Sequence, residues 1–307
     1  MERAPGKLTI PKVLILGGSG MLGHKLWQRL APEFDTHATF RQAPHHYSAY
    51  GMFDPARSIG HVSAEDFDSV VRALASVRPE VVVNSIGVVK QDATAKDPLK
   101  SISVNALFPH RLAHACRAAN ARLIHISTDC VFSGRSGNYK ETDQSDAEDL
   151  YGRTKFLGEV DYENCMTIRT SMIGRELSGT HGLIEWFLSQ RGQTVRGFKR
   201  AVFSGFTTTA LADIISDVIS KHPKLNGVWH VAAEPINKFE LLSLVKQAFK
   251  LDIEILPEDS FICDRSLDAE RFRSETGWTP ATWPQMIHQM AQDPTSYDNF
   301  RRNHAHR

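Results

Sequence analysis

Cysteine is scarce and scattered in this chain. Cys116, Cys130, Cys165 and Cys263 form no CxxC pair. Neither a zinc site nor a disulfide framework is suggested, and a reducing cytoplasm is the simpler compartment. An excess of either charge is missing as well. With 36 Lys and Arg against 35 Asp and Glu, the formal net charge is +1, so bulk electrostatics gives no reason to expect a nucleic-acid or membrane partner. No segment has the long uncharged run that a bilayer requires, and "MERAPGKLTIP" at the front lacks an apolar signal-peptide core. The histidines include no HExxH, and His45 and His46 lie among Ala, Pro and Tyr, as in a solvated loop. No internal repeat or low-complexity stretch appears.

What remains is the composition of a globular protein, 41% hydrophobic and 23% charged over 307 residues. That length suffices for one large domain or two smaller ones sharing an interface. Strand-like runs recur at "KVLILG" (12–17), "THATF" (36–40), "EVVVNSIGVV" (80–89), "RLIHIST" (122–128) and "MTIRTSM" (166–172). The first, third and fourth are almost continuously apolar, as strands buried on both faces must be. Helix-like stretches separate them. "SAEDFDSVVRALASV" opens with Ser63 and has Asp66 three residues on, a capping-box-like start, and "NALFPHRLAHACRAAN" has helical periodicity. Repeated strand–helix–strand units predict an α/β fold with a doubly wound parallel sheet.

"LILGGSGMLGHKL" sets Gly17, Gly18, Gly20 and Gly23 between the first strand and its helix. It satisfies both GxxGxxG (17, 20, 23) and GxGxxG (18, 20, 23). Glycine serves here for a tight turn, for close backbone approach to a pyrophosphate and for tight helix–strand packing. The helix then points its first N–H groups at the anion. A bare glycine pattern is weak, but its place on the first strand of a βαβ unit makes it strong; the competing reading is a turn with no ligand. Gly17, Gly20, Met21, Leu22 and Gly23 are the expected dinucleotide cradle of a Rossmann domain. An NAD site has an acid at the end of the second strand; here Arg41 follows that strand, while Asp35 stands at its wrong end. A guanidinium suits a 2′-phosphate, so NADP(H) is expected over NAD(H).

The rhythm fades after about residue 175. "GLIEWFLSQRG", "TTALADIISDVISKH" and "NKFELLSLVKQAF" read as helices, "GVWHVAA" (227–233) as one more strand, and "WTPATWPQMI" as a proline-broken segment. The expected division is a dinucleotide-binding domain over 1–175, with 205–233 returning to it. A smaller C-terminal substrate-binding domain would comprise 176–204 and 234–295, followed by a basic, poorly ordered tail over 296–307.

Two further stretches carry chemistry. "ISTDCVFSG" (126–134) puts a hydroxyl, a carboxylate and a thiol where a buried strand runs out. "LYGRTK" (150–155) places Tyr151 and Lys155 four apart, on one face of a helix. An ammonium beside a phenol whose usual pKa is about 10 lowers that value. Alone, such a pair is common on surfaces; its order after the glycine turn and the strand-end triplet gives it weight.

With "GGSGMLG", "VVVNSIG", "NALFPHRLAHAC", "STDCVFSG", "YGRTK" and "IRTSMIG", the chain resembles the extended short-chain dehydrogenase/reductases. "FSGFTTTALADII", "GVWHVAAEPINKFELL" and "DRSLDAERF" make it similar, more narrowly, to the dTDP-4-dehydrorhamnose reductase branch. The resemblance implies that Thr128, Tyr151 and Lys155 are the catalytic set. Tyr151 would protonate the alkoxide formed at a keto carbon, Thr128 would hydrogen-bond the same oxygen, and Lys155 would hold the nicotinamide ribose. It also implies that Asp54, after the third strand, touches the adenine, and that Ser85, Ile86 and Gly87 line the cofactor. Asp129 either contacts substrate or closes the turn, and Lys90 faces the substrate or the solvent. Cys130 departs from the tyrosine frequent in this branch, and occupies the Glu position of the Thr-Asp-Glu found in the superfamily's dehydratases, which disfavours dehydration. The basic stretch "RGQTVRGFKR" (191–200) either meets a nucleotide-sugar diphosphate, with Arg196 the chosen residue, or is a solvated basic loop. Ser204 and Thr207 flank the pocket, Thr207 equally serving as a helix cap.

The expectation is a cytoplasmic NADP(H)-dependent reductase of a nucleotide-linked 4-keto-6-deoxysugar, serving cell-surface polysaccharide synthesis, with a homo-oligomer or a monomer both open. Two alternatives stay open: a sugar-nucleotide epimerase holding NAD, and a non-catalytic regulatory subunit that keeps the dinucleotide fold.

Overall fold

The computed structural model describes residues 10–90, 93–298 and 300. β1 (Lys12–Leu16), α1 (Gly23–Leu30) and β2 (Asp35–Thr39) form the first strand–helix–strand unit, followed by β3 (Ser58–Ile59), α2 (Phe67–Val77) and β4 (Val81–Asn84). α3 (Pro98–Ser101) runs through a π-helical turn (Ile102–Leu107) into α4 (Phe108–Ala118), ahead of β5 (Arg122–Ile126), α5 (Leu150–Leu157) and β6 (Cys165–Arg169). Next come β7 (Met172–Ile173), α6 (Leu183–Leu188), β8 (Thr194–Phe198), β9 (Ala201–Phe203), β10 (Phe206–Thr207), α7 (Thr208–Lys221) and β11 (Gly227–His230). The chain closes with β12 (Ile236–Asn237), α8 (Lys238–Ala248), β13 (Glu254–Glu258), β14 (Cys263–Asp264), α9 (Glu270–Thr276) and α10 (Trp283–Ala291).

Seven strands form one parallel sheet in the order β11-β6-β5-β4-β1-β2-β3. The chain builds outward from β1 to β3, then crosses to β4 on the other side. In such a sheet the ligand crevice opens beyond the strand C-termini, at the point where the order reverses. β1, β4 and β5 are buried on both faces, which is why they read as continuous apolar runs. Alternation then sorts them into two cores. Val13, Ile15, Val83 and Ile124 pack with Leu26 and Leu30 of α1 and with Leu211 and Ile215 of α7. Leu14, Leu16, Val82 and Leu123 pack with Val70 and Leu74 of α2 and with Leu112 and Cys116 of α4. No helix among the described residues is long and apolar enough to cross a membrane.

Three expectations change. Helix α2 is capped by Asp66, whose carboxylate accepts from Ser69 N at 3.4 Å, and not by Ser63. A capping box at Ser63 would need its N–H for Asp66, but that N–H donates to Ser69 Oγ (3.0 Å). Asp54 precedes β3 instead of following a third strand; it caps a 3₁₀ turn by accepting from Ala56 N (2.9 Å) and pairs with Arg57 at 3.8 Å. At the other end, Tyr297, placed in the expected tail, is only 2% exposed, and Phe300 packs edge-on against Tyr50 at 4.8 Å. Residues 301–307 lie outside the described residues. Thr207 is a helix cap, accepting from Ala210 N at the start of α7.

The end of β6 is tied to the segment that follows α5 by a buried ion pair. Arg169 donates through Nε and Nη2 to the two oxygens of Glu159, each at 2.8 Å, and Ser127 Oγ donates to the same carboxylate at 2.7 Å. Both side chains are about 5% exposed. Arg169→Met would strand a buried carboxylate and should cost about 3–5 kcal/mol. Urea unfolding at neutral pH measures it; a loss under about 1 kcal/mol would mean water reaches Glu159.

Candidate active site

The glycine turn closes on itself. Gly17 has φ +87°, where a side chain is strained, and Gly20 N donates to the Gly17 carbonyl at 3.1 Å. A Cβ at Gly23 would lie 2.0 Å from that same carbonyl, so residue 23 admits no side chain. The turn is fastened to the end of β2, since Gly17 N donates to Thr39 Oγ1 (3.2 Å) and Gly18 N to the Thr39 carbonyl (2.8 Å). This brings exposed Arg41 next to it, and among the described residues no carboxylate pairs with Arg41. Leu22 is buried beneath the turn and Met21 half-buried, while nothing but the Gly17 carbonyl lies within reach of a Cβ at Gly20. A bare backbone turn leading into a helix fits a pyrophosphate.

The end of β4 borders the same turn. Ser85 Oγ donates to the Leu16 carbonyl at 2.6 Å, and Ser85 and Ile86 stand about 3.1–3.2 Å from where a Gly17 Cβ would be. After Gly87, Asn105 clamps the chain, accepting from Val88 N (2.9 Å) and donating to the Val88 carbonyl (3.0 Å).

Thr128 stands just beyond β5. Its Oγ1 accepts from Cys130 N (3.1 Å) and donates to Asp129 Oδ1 (3.2 Å). Helix α5 is capped by Asp149, which accepts from Gly152 N at 2.8 Å, and presents Tyr151 and Lys155 one turn apart. Lys155 is buried and donates to the Ile126 carbonyl at 2.7 Å. Burial pulls its ammonium down to about 8, against the pull of Glu159. Tyr151 does not behave as the helix spacing suggests. Burial pushes its phenol above the usual range, the neighbouring Cys130, Asp129 and Asp149 add to this, and a hydrogen bond with Thr128 opposes it. The ammonium expected to lower it is committed to the Ile126 carbonyl instead. Burial also raises Asp129, with Arg265 opposing, and pushes the Cys130 thiol up to about 12, with Asp129 adding.

A model of the family described as RmlD substrate binding domain matches residues 11–294. The chain belongs to that family. It is 35% identical to the dTDP-4-dehydrorhamnose reductase of Streptomyces griseus over 48% of its own length, an alignment spanning 44% of that relative. It is 25% identical to the spore coat polysaccharide biosynthesis protein SpsK of Bacillus subtilis, over 93% of this chain and 98% of the other. Among solved structures, the dTDP-4-dehydrorhamnose reductase of Bacillus anthracis in complex with NADP superimposes with TM-score 0.75, at 21% identity over 93% and 99% of the two chains. WbmG of Bordetella bronchiseptica in complex with NAD does so with TM-score 0.75, at 20% identity over 92% and 94%. Identities this low speak for the shared fold.

Set in the RmlD family frame, the remaining residues fall on different sides of the site. Lys90 reaches from beyond β4 to the cap of α5, donating to Asp149 Oδ2 at 2.6 Å. Ser204 is buried and accepts from Leu267 N at 2.9 Å, so its hydroxyl serves the fold. Arg196 stands 75% exposed on β8 with Glu258 at 3.7 Å, and no described contact joins it to the cluster. Strand alternation turned Val195 inward and Arg196 out.

Four residues escaped the reading of the sequence. Gly152 lets α5 lie against the turn after β5, since a Cβ there would meet the Cys130 carbonyl at 2.2 Å. Asn105 sits in the π-helical turn, which periodicity does not reveal. Arg265 donates to the Phe132 carbonyl (2.9 Å) and Lys238 lies 3.8 Å over the Phe203 ring, both facing Asp129 from the C-terminal part of the chain. Only the family-like stretches holding them gave any signal.

The buried ammonium makes stability depend on pH. Lys155 stands at about 8 when folded and 10.5 when not. Its burial cost is therefore full below the folded value and fades as the pH climbs toward the unfolded one. Between the two the unfolded chain binds more protons, so stability rises with pH. The difference in unfolding free energy between wild type and Lys155→Met should climb across that window, by urea titration at each pH. A flat difference would show that the ammonium keeps its water.

Proposed function

We propose that the protein is an NADP(H)-dependent reductase of a nucleotide-linked 4-keto-6-deoxysugar, with its product destined for cell-surface polysaccharide. The observation that carries this is the meeting of Thr128 and Tyr151 at the end of β5, over Lys155 and beside a glycine turn fit for a dinucleotide. The names of its relatives, a dTDP-4-dehydrorhamnose reductase and a polysaccharide biosynthesis protein, support the substrate class.

The turn from Gly17 to Gly23, the Ser85–Gly87 segment and Lys155 would hold the dinucleotide, which when bound supplies a hydride to the keto carbon. Everything else falls to side chains. As charge gathers on the former carbonyl oxygen, the Tyr151 hydroxyl gives up its proton to it. A phenol already keeps its proton at neutral pH and burial strengthens its hold, so the acid starts loaded. Thr128 hydrogen-bonds the same oxygen, a contact that strengthens only as the charge develops. Lys155 holds the ribose and, on leaving the Ile126 carbonyl, brings positive charge toward the phenolate that remains. Lys90 and Asp129 border the sugar, Arg41 meets the 2′-phosphate, and Asp54 stands on the adenine side of the fold. Arg196 and Ser204 take no place among these contacts, for the reasons of geometry given above.

Four free thiols fit a cytoplasmic setting. A homo-oligomer fits the apolar strip of Leu99, Ile102, Leu107 and Leu157 exposed along α3 to α5.

The test mixes purified protein with NADPH and a panel of dTDP-, UDP- and GDP-linked 4-keto-6-deoxysugars, following nicotinamide absorbance. One sugar should be consumed. Tyr151→Phe should lower kcat by about 10²–10⁴-fold and Thr128→Val by about 10²–10³-fold. Protein that binds NADPH yet turns over no member of the panel sinks this reading. In the same preparation Arg41→Ala should weaken NADPH binding by about tenfold or more while sparing NADH, the size of a lost charge-assisted hydrogen bond. Equal effects on the two would remove Arg41 from the phosphate.

A further inference from the structure

The first turn of α1 carries two side chains that a surface helix has no reason to bury, His24 at 0% and Lys25 at 5% exposure. Both are met by the segment that follows α10. The His24 Nδ1–H donates to the Gly20 carbonyl at 2.8 Å, inside the glycine turn. Its Nε2 faces the Tyr297 hydroxyl at 3.0 Å, and that hydroxyl donates to Asp293 Oδ2 at 2.8 Å. Asp293 in turn pairs with Lys25, which also donates to Gln28 Oε1 (2.7 Å). Gln28 Nε2 donates to Thr295 Oγ1 at 2.9 Å. An unbroken polar chain thus runs from a glycine of the cradle through His24 to residues 293–297. A backbone carbonyl only accepts, so the proton of the neutral ring sits on Nδ1 and Nε2 is left as an acceptor. Tyr297 therefore shares its single hydrogen between His24 and Asp293.

The same segment touches two other walls. Tyr297, Tyr50 and Leu177 form one buried apolar cluster, with Tyr47, Met52, Phe53 and Phe300 packed around it. Trp27 Nε1 donates to the Met52 carbonyl at 2.7 Å, and Phe40, the neighbour of Arg41, packs tilted against Tyr47 and edge-on against Phe53, at 4.5 and 4.8 Å. On the third side, the Arg175 guanidinium lies 4.6 Å over the Tyr297 ring and donates to Asp298 at 3.1 Å. The 44–53 segment follows the strand end that carries Arg41, where the adenosine half of a dinucleotide would lie.

We propose that residues 293–298 are a strap that positions the phosphate turn and the adenosine-side segment together, with Tyr297 and His24 as positioning residues for dinucleotide binding. The proposal rests on the dinucleotide reading of the glycine turn and is independent of the sugar. Neither residue touches the cofactor. Tyr297 holds His24, His24 holds the Gly20 carbonyl, and the ring cluster holds the wall next to Arg41. Free energy spent ordering these parts before binding is not subtracted from affinity when the ligand arrives.

The experiment titrates the full-length protein with NADPH, and NADH in parallel, by nicotinamide fluorescence, well below each variant's unfolding transition. Tyr297→Phe keeps the ring and removes the one hydroxyl. Its Kd should rise about three- to tenfold, the worth of one hydrogen bond. Hydrogen exchange should quicken in 17–24 and 44–53. A chain ended after Gln292 should bind more weakly still. Trp283→Phe is the matched control: it also loses one buried hydrogen bond, to the Glu234 carbonyl (2.7 Å), but on α10, and its Kd should stay at the wild-type value. A lower melting temperature in Tyr297→Phe with unchanged Kd and exchange overturns the proposal and leaves Tyr297 a purely structural residue. If the shortened chain does not fold, Tyr297→Phe decides by itself. Wild-type protein that binds neither nucleotide overturns the dinucleotide reading and the strap with it, a result distinct from the first.

Discussion

Helix α5 can lie across the end of β5 only because residue 152 has no side chain. A Cβ there would stand 2.2 Å from the Cys130 carbonyl, a distance that backbone cannot relieve by rotating. The contact sets how far Tyr151 stands from Thr128, since one belongs to the helix and the other to the strand end it touches. It also drives Lys155 into the sheet, where the ammonium finds the Ile126 carbonyl. A buried cation needs compensation, and the chain just past the end of α5 supplies some of it, at Glu159. Glu159 is itself neutralised by Arg169 on β6. Thus a close approach at one glycine fixes a row of charges: ammonium, carboxylate, guanidinium. Each is tolerable only because of the next.

The other side of the crevice is built by the same logic with different atoms. Gly23 lets α1 begin directly against the Gly17 carbonyl, and the helix then buries His24 and Lys25 under the C-terminal segment. Both helices that face the crevice are therefore fixed twice, by a glycine contact at the front and by buried polar pairs behind. Such pairs add little net stability over apolar packing, but they define one arrangement, because a slipped helix would leave charges unpaired. For a site that must hold a donor and an acceptor in register, a single arrangement matters more than a few kcal/mol of surplus.

The central sheet was legible because its strands are buried on both faces, so composition alone marks "VLIL" and "VVVN". The glycine turn and the Tyr-x-x-x-Lys helix were legible because each is local, its geometry settled within a few residues. What was missed is non-local. Lys25 and Asp293 are 268 residues apart, and nothing in either neighbourhood announces the other. The last residues read as a basic tail because Arg and His dominate "FRRNHAHR", while the anchoring Tyr297 and Asp293 lie just before it. Arg196 shows another limit of a local reading. Its cluster of positive charge was counted without the acidic partner strand, and β13 brings Glu258 beside it while Asp259 meets Lys199. Ser204 shows the same limit, since a buried hydroxyl is claimed by whichever backbone amide lies nearest.

Chemistry at the strand end depends as much on what cannot ionise as on what can. Elimination of water from a sugar needs a base to take a proton from the carbon beside the carbonyl, and in the superfamily's dehydratases a glutamate holds the position of Cys130. Burial and the nearby Asp129 push that thiol up to about 12, so at neutral pH it carries its proton and accepts none. Asp129 is displaced toward its neutral form by the same burial. Tyr151 likewise keeps its proton, which makes it a loaded acid and a poor base in the resting site. A thiol and a phenol that both hold their protons beside the strand end leave the site with an acid ready to deliver a proton. An alkoxide oxygen is the acceptor such a site is built to serve, and reduction of a ketone is the step that creates it.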